Sequence, residues 1–223
     1  MELFISDLHL DAGRPAATHA FLEFLGDTAT QARKLYILGD LFESWTGDDE
    51  LDEFQQQIAA ALHRLASSGT RVYFMPGNRD FLMGERFYQA SGMQPLPDPS
   101  LIYVGGQSVL ISHGDIYCTD DEAYQRYRRI VRNPTVRAIY DALPRFIRNR
   151  IVASLRSNSQ SSTQQKPSDI MDVNAGAVSA ALRESAAEVL LHGHTHRPGI
   201  SEIEIEGQAC RRIVLGDWYE QGS

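Results

Sequence analysis

Five hydrophobic runs in this chain of 223 residues end in side chains that bind divalent metals, and this recurrence constrains the fold more than any other feature. Leu3-Phe4-Ile5 leads to Asp7-Leu8-His9, and later runs lead to Gly39-Asp40, Gly77-Asn78-Arg79-Asp80, His113-Gly114-Asp115 and Gly193-His194-Thr195-His196. These segments lie too far apart in sequence to form one local loop, so the fold must gather them. Parallel strands do so when they end together at one edge of a sheet. Alternation along an extended strand puts Asp7 and His9 on one face, and His194 and His196 likewise if that strand stays extended. The donors are Asp, His and Asn without Cys, which suits Mn²⁺, Fe²⁺ or Zn²⁺ and is too many for one ion. Two divalent metals are expected. Each motif alone also reads as a turn or cap; five in this order do not.

The length suits one domain over residues 1–223 with a substantial core. A formal charge of −8 argues against a generic nucleic-acid coat, and no nucleic-acid partner is expected. That charge is unevenly placed: residues 126–156 hold nine Arg against one acid, Asp141, so the rest of the chain carries −16. Cys118 and Cys210 form no Cys-x-x-Cys pair, which leaves a reduced compartment as the default. The start has no basic leader before a long apolar run, and no stretch approaches the roughly 18 apolar residues of a spanning helix. A cytoplasmic monomer touching a membrane only at its periphery is expected.

Strand-like runs at 2–6, 34–38 and 71–76 alternate with helix-like segments near 15–28 and 50–66, the signature of an α/β layered sheet. In the second helix Leu51, Phe54, Ile58, Ala61, Leu62 and Leu65 recur at helical spacing and belong to the core; His63 and His19 read as surface residues. Runs at 101–104, 109–112, 188–192, 200–205 and 212–215 supply a second sheet, with a hairpin turn at Gly105-Gly106. The expected fold is α/β: two packed sheets flanked by helices. Residues 120–183 interrupt it with a helical insertion, a lid, broken before Pro134 and Pro144. The polar stretch 157–168 reads as a mobile loop.

The ordered set Asp7-x-His9, Gly39-Asp40, Gly77-Asn78, His113 and Gly193-His194-x-His196 resembles the calcineurin-like metallophosphoesterase superfamily. Closer wording narrows this. Ile5-Ser6-Asp7-Leu8-His9-Leu10, Leu38-Gly39-Asp40-Leu41-Phe42-Glu43-x-Trp45, Gly77-Asn78-Arg79-Asp80-Phe81-Leu82, Ser112-His113-Gly114-Asp115 and His192-Gly193-His194-Thr195-His196-Arg197-Pro198 are similar to the UDP-2,3-diacylglucosamine hydrolase family of lipid A synthesis. The resemblance implies a calcineurin-like two-sheet sandwich and a pair of ions, Mn²⁺ expected. One would be held by Asp7, His9, Asp40 and His196, the other by Asp40, Asn78, His113 and His194, with Asp40 bridging. It implies water as nucleophile and a lipid-linked nucleotide sugar as substrate, met by Asn78, Arg79, Asp121, Tyr124, Arg156, Ser159, Thr163, Lys166 and His194.

Asp80 and Asp115, each two residues beyond a ligand, either orient those ligands or cap loops. His192 reads as a satisfied core histidine. Many superfamily members carry His where this chain has Arg79, which donates no proton at neutral pH. A phosphate monoester, with a second pKa of about 6, is a leaving group that needs none. In the insertion, Tyr140, Leu143, Phe146, Ile147, Ile151 and Leu155 are expected to wall an apolar chamber or to pack the inserted helices on one another, and the two readings are compatible. Arg128, Arg129, Arg132, Arg145, Arg148 and Arg150 are expected to face an anionic inner-membrane surface. The rival readings are a nuclease or small-nucleotide pyrophosphatase, which would need a basic groove, and a silent scaffold, which filled ligand positions oppose. Family members usually continue with another strand past the segment matching Leu215-Gly216-Asp217-Trp218; no metal ligand is expected there.

Overall fold

Alternation decides which residues of each strand meet which layer. Glu2–Ile5 (β1), Lys34–Ile37 (β2), Arg71–Phe74 (β3) and Gln94–Pro95 (β4) form a parallel sheet in the order β1-β2-β3-β4. Leu35, Ile37, Val72 and Phe74 point from it to one core, while Tyr36, Leu38, Tyr73 and Met75 point to another. Ser100–Val104 (β5), Gln107–Ser112 (β6), Val189–His192 (β7), Gly199–Ile205 (β8) and Gln208–Val214 (β9) form the second sheet, ordered β5-β6-β7-β9-β8. Its centre, β6-β7-β9, is parallel. Val109, Ile111, Val189 and Leu191 join Tyr36, Leu38 and Met75 in the core between the sheets. Strands buried on both faces read as unbroken apolar runs, as these do. Register partners Phe4, Tyr36 and Tyr73 stack across three strands, with centroids 4.8 and 5.0 Å apart, an arrangement that adds to area burial.

The structure is a computed structural model that describes the backbone of residues 1–165 and 172–218, and side chains of residues 1–155 and 172–218. Helices Pro15–Gly26 (α1), Glu53–Ser67 (α2) and Glu85–Ser91 (α3) cover the outer face of the first sheet. α2 starts in a capping box in which Asp52 and Gln55 exchange side-chain and backbone hydrogen bonds. It buries Ile58, Ala61, Leu62 and Leu65; each large side chain contributes roughly 1.5–3 kcal/mol. The two-sheet sandwich, its hairpin at Gly105-Gly106 and the two long helices agree with the expectation. β4 and α3 are additions, too short to show a period.

The helical stretch divides into Glu122–Val131 (α4), Pro134–Asp141 (α5), Arg145–Gln165 (α6) and Ala175–Ser185 (α7). The breaks fall at the two prolines, and Asn133 caps α5 through the amides of Thr135 and Val136. α7 buries Val178 and Leu182 against Leu110 and Leu190 of the second sheet, so it belongs to the outer layer, and the remaining inserted helices are α4–α6. The expected loop over 157–168, of which 166–168 lie outside the described residues, is corrected as far as residue 165: α6 runs to Gln165. Its Ser, Asn and Gln cost a helix only tenths of a kcal/mol each, and no proline intervenes before Pro167.

A second correction concerns the arginines. Arg128 pairs with Asp98 and Asp115, Arg132 with Asp115, Arg145 with Glu50 and Arg148 with Asp49. Four of six expected at a membrane instead pair with carboxylates of the acidic body: Arg128, Arg132 and Arg148 partly buried, Arg145 at the surface. Arg129 and Arg150 remain exposed. Arg148 is 4 % exposed and also donates to the Thr46 carbonyl. Arg148→Ala should therefore cost roughly 1.5–3 kcal/mol, toward the lower figure because Asp49 is half-exposed. Hydrogen exchange should accelerate about 10- to 100-fold in α5 and the first turns of α6 while β2, β3 and β7 keep their protection. Unchanged exchange in α5 and α6 would show that the ion pair does not hold the insertion.

Candidate metal centre

The ligand candidates sit just past the ends of strands, on turns rather than in them. Asp7, His9, Asp40, His194 and His196 have φ of 55°, 49°, 53°, 69° and 53°. Left-handed backbone costs a non-glycine residue roughly 1–2 kcal/mol and persists only where surroundings over-determine it. Here they do. The Asp7 and His9 amides donate to the Gly39 and Asp40 carbonyls at 3.1 and 2.9 Å. The His194 amide donates to Asp7 Oδ2 and the Arg79 amide to Asp40 Oδ1, each at 2.8 Å. The expectation that Asp7 with His9, and His194 with His196, share a face of an extended strand is thus corrected: β1 ends at Ile5 and β7 at His192, and turns aim these side chains.

Glycine before three candidates has a steric reason. A Cβ on Gly77 would lie 2.1 Å from Asp40 Oδ1, and one on Gly193 would lie 2.2 Å from Asp7 Oδ2. Each strand end leaves room for the carboxylate of another. Asp80, buried, ties the loops together by accepting from the amides of Asp40, Leu41, Phe42 and Gly77 at 3.3, 2.7, 3.4 and 2.8 Å. Burial and then the Asp40 charge push its carboxyl up to about 7 against those amides. Both readings of Asp80 therefore hold at once: it caps a loop, and that loop carries Asp40. Asp115 instead accepts from Tyr124 Oη at 2.5 Å and Arg128 Nε at 2.8 Å, which fastens α4 to the loop of His113.

The donors converge. His9 Nε2 and His196 Nε2 are 3.3 Å apart, and they lie 4.0 and 3.5 Å from Asp7 Oδ1. Asp7 Oδ1 is buried, and these two rings are what it faces. Asp40 directs Oδ2 to within 3.8 Å of His9 Nε2 and Oδ1 to within 3.7 Å of His113 Nε2. His113 Nδ1 faces the Leu38 carbonyl at 2.8 Å, which can only accept. In the neutral ring Nε2 then presents a lone pair to Asn78 Oδ1 at 2.9 Å. Buried carboxylate oxygens and imidazole nitrogens converging on one space are unfavourable without a shared cation, so the residues fit divalent metals. Two groups have ligating atoms within 4.8 Å of one another: Asp7, His9 and His196, and Asp7, Asp40 and His113.

Electrostatics in the bare protein agree. Burial opposes the charge on His113, but Asp40, Asp7, Asp115 and Asp98 outweigh it and lift the ring to about 9. Burial likewise opposes the His196 imidazolium, and the Asp7 hydrogen bond and the charges of Asp7, Asp217 and Asp40 raise it. His194, buried beside His113, is pushed down to about 4. Despite burial, the Asp7 carboxyl falls well below the usual range through its His196 hydrogen bond and the His113 charge. Protons on imidazoles supply the positive charge the carboxylates require.

The other candidates separate. Arg79 borders the cluster with its Nε buried and donating to nothing, and its Nη1 4.0 Å from Glu43 Oε1. The Tyr124 ring stacks on His194 with centroids 6.3 Å apart. Asp121 caps α4 by accepting from the Tyr124 amide. Arg156, Ser159, Thr163 and Lys166 lie outside the residues whose side chains are described. His192 is a core residue: Nδ1 faces the Gly193 carbonyl at 2.8 Å and Nε2 accepts from Arg212 Nε at 2.9 Å. Two residues went unrecognised as part of the site. Glu43 Oε2 is 3.1 Å from His9 Nδ1, and Asp217 Oδ2 is 2.7 Å from His196 Nδ1. No spacing rule joins residue 217 to residue 196; only the folded return of the chain past β9 does.

A family model described as calcineurin-like phosphoesterase matches residues 3–198. A relative from Pseudomonas paraeruginosa named UDP-2,3-diacylglucosamine hydrolase is 51% identical over 99% of this chain and 92% of its own length. Proteins of the same name from Stutzerimonas stutzeri and Serratia proteamaculans are 49% and 48% identical, over 100% and 99% of this chain and 92% of theirs. The matched span takes in every strand end of the cluster, and the chain belongs to the calcineurin-like phosphoesterase family.

Proposed function

We propose that this chain hydrolyses UDP-2,3-diacylglucosamine at its pyrophosphate, giving 2,3-diacylglucosamine 1-phosphate and UMP, within lipid A synthesis. The observation that carries the reading is near-complete alignment with relatives of that name, with the metal-binding cluster lying inside the aligned span. Asp7, His9, Asp40 and His196 would hold one divalent ion, and Asp40, Asn78, His113 and His194 the other, with Mn²⁺ suited to such oxygen and nitrogen donors. When bound, such ions acidify water and withdraw charge from phosphate. Asp40 would serve both positions, since its two oxygens face imidazoles of the two sets.

The chain's own residues do the rest. Arg79 offers a planar fork of donors to pyrophosphate oxygens, and its Nε, which lacks a protein partner, has an acceptor once substrate arrives. It supplies no proton, and the departing sugar phosphate needs none. Tyr124 lines the approach to His194, and Asp121, Arg156, Ser159, Thr163 and Lys166 belong to the insertion that would hold the sugar and phosphates. Half-buried Tyr140, Leu143, Ile147 and Ile151 suit the acyl chains.

Among the described residues no helix is long and apolar enough to cross a membrane. Ile139 and Phe146 of the insertion are 62% and 63% exposed, and the same insertion carries exposed Arg129 and Arg150, a combination that supports peripheral contact with an anionic inner-membrane surface; a cytoplasmic monomer is part of the same proposal.

Incubation with the diacylated UDP-sugar and Mn²⁺ in heavy-oxygen water should yield both products, with the label in UMP because attack falls on the uridine-side phosphorus. Label in the sugar phosphate alone would reverse that assignment. Arg79→Ala should lower kcat/KM by about 10- to 150-fold, the worth of a charged hydrogen bond, and Arg79→Lys should recover only part. Metal content should not change. An emptied site in Arg79→Ala with full activity in Arg79→Lys would make Arg79 a structural counter-charge.

A further inference from the structure

Two carboxylates outside the proposed ligand set stand behind the same pair of imidazoles. Glu43, 5% exposed, meets His9 Nδ1, and Asp217 meets His196 Nδ1, from elements far apart in sequence. A carboxylate at such a distance favours the proton on Nδ1 and leaves the lone pair on Nε2, where both rings converge on Asp7 Oδ1. It also makes the imidazole a stronger donor and adds negative charge near the ion. His113, on the other side of Asp40, has a backbone carbonyl behind its Nδ1 instead, which orients the ring without adding charge. His9 and His196 thus have a carboxylate behind Nδ1 and His113 has a carbonyl.

We infer that Glu43 and Asp217 are positioning residues that make the Asp7–His9–His196 position the tighter of the two, so that it fills first. The inference rests on the dinuclear reading above and ranks its two positions. Both carboxylates act through an imidazole and need not touch the ion.

The test is Mn²⁺ titration of the full chain after chelator stripping, followed by equilibrium dialysis and electron paramagnetic resonance. The wild-type protein should show the signal of an isolated ion at the first equivalent and of a spin-coupled pair at the second. Glu43→Gln and Asp217→Asn keep the shapes of the side chains and should raise the Kd of the first ion about 10- to 100-fold, with the second changing less. Coupled signal from the earliest additions to wild type, showing simultaneous filling, would overturn the ranking, and needs no variant to fold. Equal weakening of both ions in the two variants would overturn it as well. Binding of one ion in total would instead sink the dinuclear reading itself.

Discussion

Two carboxylates, Asp7 and Asp40, are almost wholly enclosed where the two sheets meet, and the surrounding arrangement answers their charge. Removing a carboxylate from water costs several kcal/mol unless positive charge or donors replace the water. The fold replaces it with amides of neighbouring loops and, in the bare protein, with the protonated rings of His113 and His196. The left-handed turns at Asp7, His9, Asp40, His194 and His196 store strain in the same few loops. A cluster so built is stable when cations share it. On the proposed assignment, metal binding and local folding of the loops would be one equilibrium.

Much of this was legible because the constraint is chemical as well as geometric. Apolar runs ending in Asp, Asn or His gave the strands, their ends and the gathering edge, and proline placed the breaks around α5. The turn geometry was not legible. Strand alternation and a left-handed turn both bring residues two apart together, and only backbone packing distinguishes them. Glu43 and Asp217 were hidden for a related reason: a carboxylate two or more elements away has no periodic relation to the ring it supports. The inward direction of Arg128, Arg132, Arg145 and Arg148 was missed because composition gives the charge of a segment but not which acids, here Asp98, Asp115, Glu50 and Asp49, lie opposite it.

Those pairs join the insertion to the centre. Asp115 follows His113, and Arg132 donates to the carbonyl of Gly77, the residue before Asn78. α4 thus touches loops bearing two proposed ligands of the second position. An ordered α4 and an ordered second position support each other, so movement of the insertion and the quality of the metal site are physically linked through Asp115, Arg128 and Arg132.

Anomalous diffraction at the manganese edge, from crystals of the Mn²⁺-loaded protein, tests the central claim most directly. The account predicts two separate peaks, one beside Asp7, His9 and His196 and the other beside Asn78, His113 and His194, with Asp40 touching both. A single peak at saturating Mn²⁺, or peaks away from Asp40, would contradict it.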